Sequence, residues 1–235
     1  MYYSMIRYKS LSFTGMCKEY LEVTSMLTSY YTVKNEGENE IVIQKSRFIA
    51  HVKRTPTEEE AQAFIQSIKK RHASATHNCS AYLIGEQDLI QKANDDGEPS
   101  GTAGVPMLEV LKKRKLKDTT VVVTRYFGGI KLGAGGLIRA YGQSVSEGLN
   151  ATGIVERKLM TKITTQIDYT LLGKVENEIR SSNYLLDEIA YLENVQVRTL
   201  VESGMEESFT EWMTNIANGQ ATITMGEQLY KEYDV

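Results

Sequence analysis

Apolar positions along this chain follow two rhythms. Ile41-Val42-Ile43 and Phe48-Ile49-Ala50-His51-Val52 are β-rich runs split by the polar Gln44-Lys45-Ser46-Arg47, which predicts two successive strands. A helical period then takes over. Pro56 and Thr57 precede Glu58-Glu59-Glu60, the apolar positions are Ala61, Phe64, Ile65 and Ile68, and Lys69-Lys70-Arg71 closes the segment. Carboxylates at the start and cations at the end suit the helix dipole. Strands are predicted at Cys79–Ile84 and Leu89–Ala93, a helix at Val105–Leu116, and a β-branched strand at Thr119–Phe127. A long helix from about Ala134 to Asn150 carries Leu137, Ile138, Tyr141, Val145 and Leu149 as its apolar stripe.

After Gly153 the pattern restarts. A strand at Lys162–Tyr169, a helix at Leu171–Ser181, strands at Leu185–Tyr191 and Val195–Leu200, a helix at Met205–Ala217 and a strand at Ala221–Tyr230 make the split-βαβ order of a ferredoxin-like domain. The expected architecture is α+β in two domains, residues 26–153 and 154–235. Residues 1–25 show neither period and read as a loosely packed N-terminal extension.

Charge sharpens that division. The net charge of −3 conceals 17 Lys+Arg against 14 Asp+Glu in Met26–Gly153, and 7 against 14 in Ile154–Val235. Of the 18 glycines, 12 lie between Gly85 and Gly153. No apolar run approaches the ~20 residues of a membrane span. Two cysteines, Cys17 and Cys79, cannot build a disulfide framework, so the cytoplasm is the expected compartment.

Four constellations carry possible chemistry. Between strand and helix, the run from Gly128-Gly129 through Lys131 and Gly133 to Gly135-Gly136 and Arg139 can either permit close packing and left-handed backbone or present amides and cations to an anion. It has neither the Gly-Lys-Ser/Thr of a P-loop nor a dinucleotide fingerprint. The acidic loop Asp95-Asp96-Gly97-Glu98 suits capping and internal pairing, for example to Arg125 or Arg139, or else magnesium. His77 and Cys79 fall on one face of a strand about 6.5 Å apart, without a visible third group to orient a nucleophile. Lys112, Lys113, Arg114, Lys115 and Lys117 end a helix and either solvate it or, with Arg125, Lys131 and Arg139, form a basic face for phosphates.

The run Asp95-Asp96-Gly97-Glu98-Pro99-Ser100-Gly101-Thr102-Ala103-Gly104-Val105-Pro106, followed by Val122-Val123-Thr124-Arg125-Tyr126-Phe127-Gly128-Gly129-Ile130-Lys131-Leu132-Gly133, closely resembles the YigZ/IMPACT family in its bacterial two-domain form. The resemblance covers about Met26 to Gly153, and the acidic remainder resembles the small domain that follows in bacterial members. It implies a ribosomal protein S5 domain 2-like fold for the first domain and a ferredoxin-like fold for the second, both similar to parts of elongation factor G. It also implies a link to translation, since the eukaryotic relative restrains a starvation kinase pathway by competing for the kinase's activator. The partner-binding RWD domain of that relative is not evident in this sequence.

Three functions follow as expectations. The first is a non-catalytic cytosolic factor binding RNA or the ribosome through Lys112–Lys117, Arg125, Gly128, Gly129, Lys131, Gly133, Gly135, Gly136 and Arg139. The second is a regulator acting through a protein partner. The third is an enzyme on a phosphorylated or nucleotide-like small molecule, for which His77, Asp95, Asp96 and Glu98 are the candidates. No resident metal or cofactor is expected, no membrane, and no DNA-specific signal is visible.

Overall fold

Thr57 caps the first helix as the sequence predicts: its hydroxyl accepts from the Glu60 amide at 3.2 Å, with Glu58, Glu59 and Glu60 in the first turn. This helix, α1 (Glu58–Arg71), belongs to a computed structural model that describes residues 26–235. The extension expected at 1–25 lies outside the described residues. Strands β1 (Ser29–Val33), β2 (Gly37–Ile43) and β3 (Ser46–Arg54) precede α1. After it come β4 (His77–Ile84), β5 (Ile90–Asn94), α2 (Gly104–Lys113), β6 (Thr119–Tyr126) and α3 (Gly133–Thr152).

Strands β2 to β6 form an antiparallel sheet in the order β2-β3-β6-β4-β5. Both of its faces are covered, which is why β6 is a β-branched run with almost every residue buried. On one face α1 sets Ala61, Phe64, Ile65 and Ile68 against Tyr82, Ile84 and Val122. On the other, α2 and α3 bring Met107, Leu111, Leu137, Tyr141, Val145 and Leu149 onto the inward residues of β3, β4 and β6. Each large apolar side chain so buried contributes about 1.5–3 kcal/mol.

The second sheet is built from β7 (Ile154–Ile167), α4 (Tyr169–Ser181), β8 (Leu185–Tyr191), β9 (Val195–Glu202), α5 (Glu206–Ile216) and β10 (Thr222–Asp234). Its order, β10-β7-β9-β8, is the ferredoxin-like arrangement. Helices α4 and α5 cover one face with Val175, Ile179, Phe209, Met213 and Ile216. No helix among the described residues is long and apolar enough to cross a membrane.

Three details depart from the sequence reading. Strand β1 was not expected, and it pairs with the start of β7 (Tyr30↔Arg157, Val33↔Ile154) rather than with its neighbour β2. It lies end to end with β9 along one edge of β7, so the chain crosses to the first sheet only after Val33. Strand β7 starts at Ile154 and not at Lys162, because β1 and β10 flank its charged opening Glu156-Arg157-Lys158. Helix α2 stops at Lys113 and not at Leu116. Lys115 turns left-handed (φ 55°), and the Leu116 amide returns to the Leu111 carbonyl at 3.1 Å while Lys115 returns to Lys112 at 2.9 Å. This is a Schellman closure that buries Leu116.

Candidate functional site

The family-like loop Asp95–Thr102 folds over the end of the first sheet, and its carboxylates are spent there. Asp95 accepts from the amides of Gly101, Ala103 and Gly104 at 2.8–3.0 Å, capping α2, whose N-cap residue, Ala103, makes no side-chain cap bond. Burial would raise the Asp95 carboxyl, but the three amides outweigh it and hold the group below its ordinary value. Asp96 takes the Asn78 amide at 2.7 Å and the Lys69 ammonium at 2.5 Å. Its carbonyl accepts from His77 Nδ1 at 2.8 Å.

Glu98 is the most enclosed of the group. Its side chain is 3% exposed, that of Arg125 is 6% exposed, and they pair at 2.6 Å. The Tyr141 hydroxyl donates to the same Glu98 oxygen at 2.8 Å. His77 Nε2 stands 3.9 Å from the other oxygen, beyond a hydrogen bond. The Cys79 sulfur sits 3.0 Å from the Asp95 carbonyl and 3.3 Å from the Tyr141 hydroxyl, and burial pushes its thiol up to about 12. A thiol held protonated is a poor nucleophile. Burial also drives the Tyr141 hydroxyl upward. The four residues proposed from sequence for catalysis are therefore brought together, yet each is occupied by internal partners. No group of three or more His, Cys, Asp or Glu among the described residues is arranged to hold a metal ion.

Arg125 departs from the expected basic face. It is buried against Glu98, and its guanidinium lies over the Phe48 ring at 5.3 Å and the Phe127 ring at 5.5 Å. The cause is strand alternation: Arg125 follows Val121 and Val123 on the face of β6 that α2 and α3 cover.

The remaining cations divide into two groups at opposite ends of α3. Lys112–Lys117 lies at the shared C-terminal ends of α2 and α3, where Arg114 reaches Asn150 at 3.4 Å. Two of its members are paired, Lys112 with Glu109 at 3.5 Å and Lys117 with Asp88 at 2.5 Å. Arg139 is eleven residues before Asn150, about 16 Å along the helix, and Lys131 lies farther still. The structure does not bring these groups into one patch.

At the other end, Phe127-Gly128-Gly129-Ile130-Lys131-Leu132 connects β6 to α3. The Phe127 amide donates to Thr76 Oγ1 at 3.0 Å and the Gly128 amide to Ser46 Oγ at 3.1 Å. A Cβ on Gly128 would fall 2.0 Å from the Lys45 carbonyl oxygen, so this loop touches the β2–β3 turn backbone to backbone. Gly129 and Gly133 take left-handed φ of 89° and 68° with open space beside them. Helix α3 starts at Gly133 with no side-chain cap at Leu132, so the amides of Gly133, Gly135 and Gly136 stand at the positive end of a long helix. Lys131, Arg139 and Lys45 are exposed and have no acidic partner among the described residues, as have Lys113 and Lys115 at the far end. The Arg139 guanidinium folds back to 3.7 Å from the Cβ position of Gly135. Phe127, Ile130 and Ile138 are large apolar side chains exposed in the same region. The packing and turn-geometry reading of the glycines holds here at different positions: Gly128 for close approach, Gly129 and Gly133 for left-handed backbone.

Lys45, Phe127 and Tyr141 were missed as site residues. Lys45 is legible only as part of a polar break between strands. Tyr141 reads as core, and its hydroxyl partner Glu98 is 43 residues away. A second polar cluster, also unassigned from sequence, lies on the α1 side. His51 Nδ1 is 2.9 Å from an Arg71 nitrogen and 3.1 Å from Glu38 Oε2, beside His72. Burial and then the Arg71 charge push His51 down to about 4, against the opposing pull of Glu38. A cleft of about 330 Å³ opens between Glu36, Glu38, His51, Phe64 and Arg71.

Comparison with known proteins agrees with the sequence resemblance. Residues 44–149 match the Impact N-terminal domain, and residues 165–220 match a domain of unknown function, DUF1949. The chain is 69% identical over 207 residues to the IMPACT family member YvyE of Bacillus subtilis, covering 88% of this chain and 95% of that protein. To the IMPACT family member YigZ of Escherichia coli it is 40% identical over 151 residues, covering 60% and 74%. Human Protein IMPACT is 35% identical over 98 residues, and the match spans 30% of its length. A crystal structure titled as that of a hypothetical protein superposes with a TM-score of 0.55 at 30% identity, covering 86% of this chain and 99% of that one.

Proposed function

The chain belongs to the IMPACT family, and from that premise we propose that it is a non-catalytic cytosolic factor that binds RNA or the ribosome and acts in the regulation of translation. One observation carries the reading: the Phe127–Arg139 segment sets Lys131 and Arg139, which have no acidic partner among the described residues, beside the uncapped amides of α3, with Lys45 across the adjoining turn. Backbone amides, a helix dipole and free cations form an anion-receptive edge. Several nearby cations are instead neutralised by acids: Arg47 by Glu40 and Lys53 by Glu36 on β3, and Arg71 of α1 by Glu38.

The engagement of Asp95, Asp96, Glu98 and His77 with internal partners weighs toward binding rather than reaction. Asp95 and Asp96 build the loop, and Glu98 neutralises Arg125. Under this reading the ion pair braces the loop that presents the edge, because the Arg125 guanidinium underlies Phe127.

Co-sedimentation with ribosomes tests the proposal. The chain should pellet with ribosomes at low salt and leave them as salt rises, since phosphate contacts release counterions. Recovery of a stable protein partner after nuclease treatment, without salt-sensitive sedimentation, would favour the protein-partner reading instead.

A further inference from the structure

We infer that Phe127 is a base-stacking platform and that the edge around it takes single-stranded rather than duplex RNA; this rests on the RNA-binding reading above and narrows it. Phe127 follows a strand whose preceding residues are almost all buried, yet it is itself 46% exposed. An exposed phenylalanine on a pliant loop would say little, but this one is fixed on three sides. Its amide is tied to Thr76, the next amide is tied to Ser46, and its ring rests on the Arg125 guanidinium at 5.5 Å. Arg125 is in turn held from behind by Phe48 at 5.3 Å and from the side by Glu98 at 2.6 Å. The ring is thus presented to solvent by a buried charged scaffold, with its orientation set before any ligand arrives. Such preorganisation reduces the ordering cost of binding.

An exposed ring of this kind matches an unpaired base. Bases in a duplex are stacked on one another and show only their edges, whereas a single strand can lay a base face on an aromatic side chain. The charge available points the same way. Three cations without an acidic partner among the described residues, Lys45, Lys131 and Arg139, adjoin the ring's loop, enough for a few phosphates of one strand. Duplex binders span about 16 base pairs and contact successive grooves, a footprint for which the neighbouring cations, already paired with Glu36, Glu38 and Glu40, are not free.

The test is fluorescence anisotropy of the full chain with labelled dodecauridylate and with an RNA duplex of about 20 base pairs, longer than the footprint of a duplex binder. The single strand should bind more tightly. Phe127→Ala should weaken it about ten-fold, with a cooperative unfolding transition retained and little change in the salt dependence. Phe127→Trp should restore affinity, and its emission should be quenched on binding, read against the single native tryptophan, Trp212. Equal or tighter binding to the duplex, with affinity indifferent to Phe127→Ala, would overturn the inference while leaving RNA binding standing. No binding to either RNA would overturn both.

Discussion

Replacing Glu98 by Gln tests the role assigned to the best-enclosed charge pair among the described residues. The substitution keeps the shape and still offers an acceptor to Tyr141, but it removes the negative charge facing Arg125. Both side chains are almost wholly out of water and joined at 2.6 Å, so the guanidinium would be left buried without a counter-charge. Breaking such a pair from one side costs about 3–5 kcal/mol. The retained amide acceptor places Glu98→Gln near the lower end, about 3 kcal/mol, or roughly 6–12 °C in melting temperature for a chain of this size. Urea unfolding is the assay, with an unchanged slope confirming that the compared states are the same. The double variant Glu98→Leu with Arg125→Met removes both charges and should lie within about 2 kcal/mol of the parent, because an apolar pair of similar volume replaces a buried ion pair at little cost. A loss below about 0.5 kcal/mol for the single variant would refute the argument. So would a double variant that loses the sum of Glu98→Leu and Arg125→Met measured alone, since additivity would mean that the residues do not act on one another.

Other consequences are more local. His51 is held neutral in the fold, with its pKa pushed down to about 4 from an ordinary 6.5, so the unfolded chain binds its proton first. Stability should fall as pH drops from about 6.5 toward 4, and His51→Gln should flatten part of that slope in urea titrations at several pH values. Arg71, Glu38 and His72 are the charged and titratable groups facing His51. Cys79 has the opposite sign: its thiol is raised from 9.0 to about 12, so its contribution is intact below pH 9 and is lost as pH climbs toward 12. In a Cys17→Ser background, native Cys79 should resist alkylation at pH 8 and react on unfolding. Lys115→Gly should stabilise the chain by about 0.5–1 kcal/mol, since Lys115 occupies the left-handed position that closes α2; a melting-temperature measurement decides it.

The elements were legible where pattern and function of the residues agreed. Thr57 with Glu58–Glu60 announces the start of α1, and the run Val121-Val122-Val123 announces the strand β6. Strand β1 was not legible because its partner is more than 120 residues away and the Tyr-Tyr-Thr sequence alternates no more clearly than its surroundings. The end of α2 was misplaced because a lysine occupies the closing position that glycine usually signals. The site divides along the same line. Glycines at Gly128, Gly129 and Gly133 and the acidic loop stand out in sequence, and pairing of Glu98 with Arg125 was among the readings they allowed. The basic face was not readable as such. Sequence proximity placed Lys112–Lys117 near Lys131 and Arg139, while α3 holds the two groups at opposite ends, and strand alternation turned Arg125 inward.

The most direct measurement is the affinity for single-stranded RNA as a function of salt in two charge-reversal pairs, Lys131→Glu with Arg139→Glu and Lys113→Glu with Lys115→Glu. With about three phosphates contacted, log K should fall with log salt at a slope near −2 for the parent chain. Reversal at Lys131 and Arg139 should lower affinity at least ten-fold and make the slope shallower, and reversal at Lys113 and Lys115 should leave both nearly unchanged. Affinity that is flat with salt, or lost through the Lys113 and Lys115 pair while the other pair binds normally, would contradict the account.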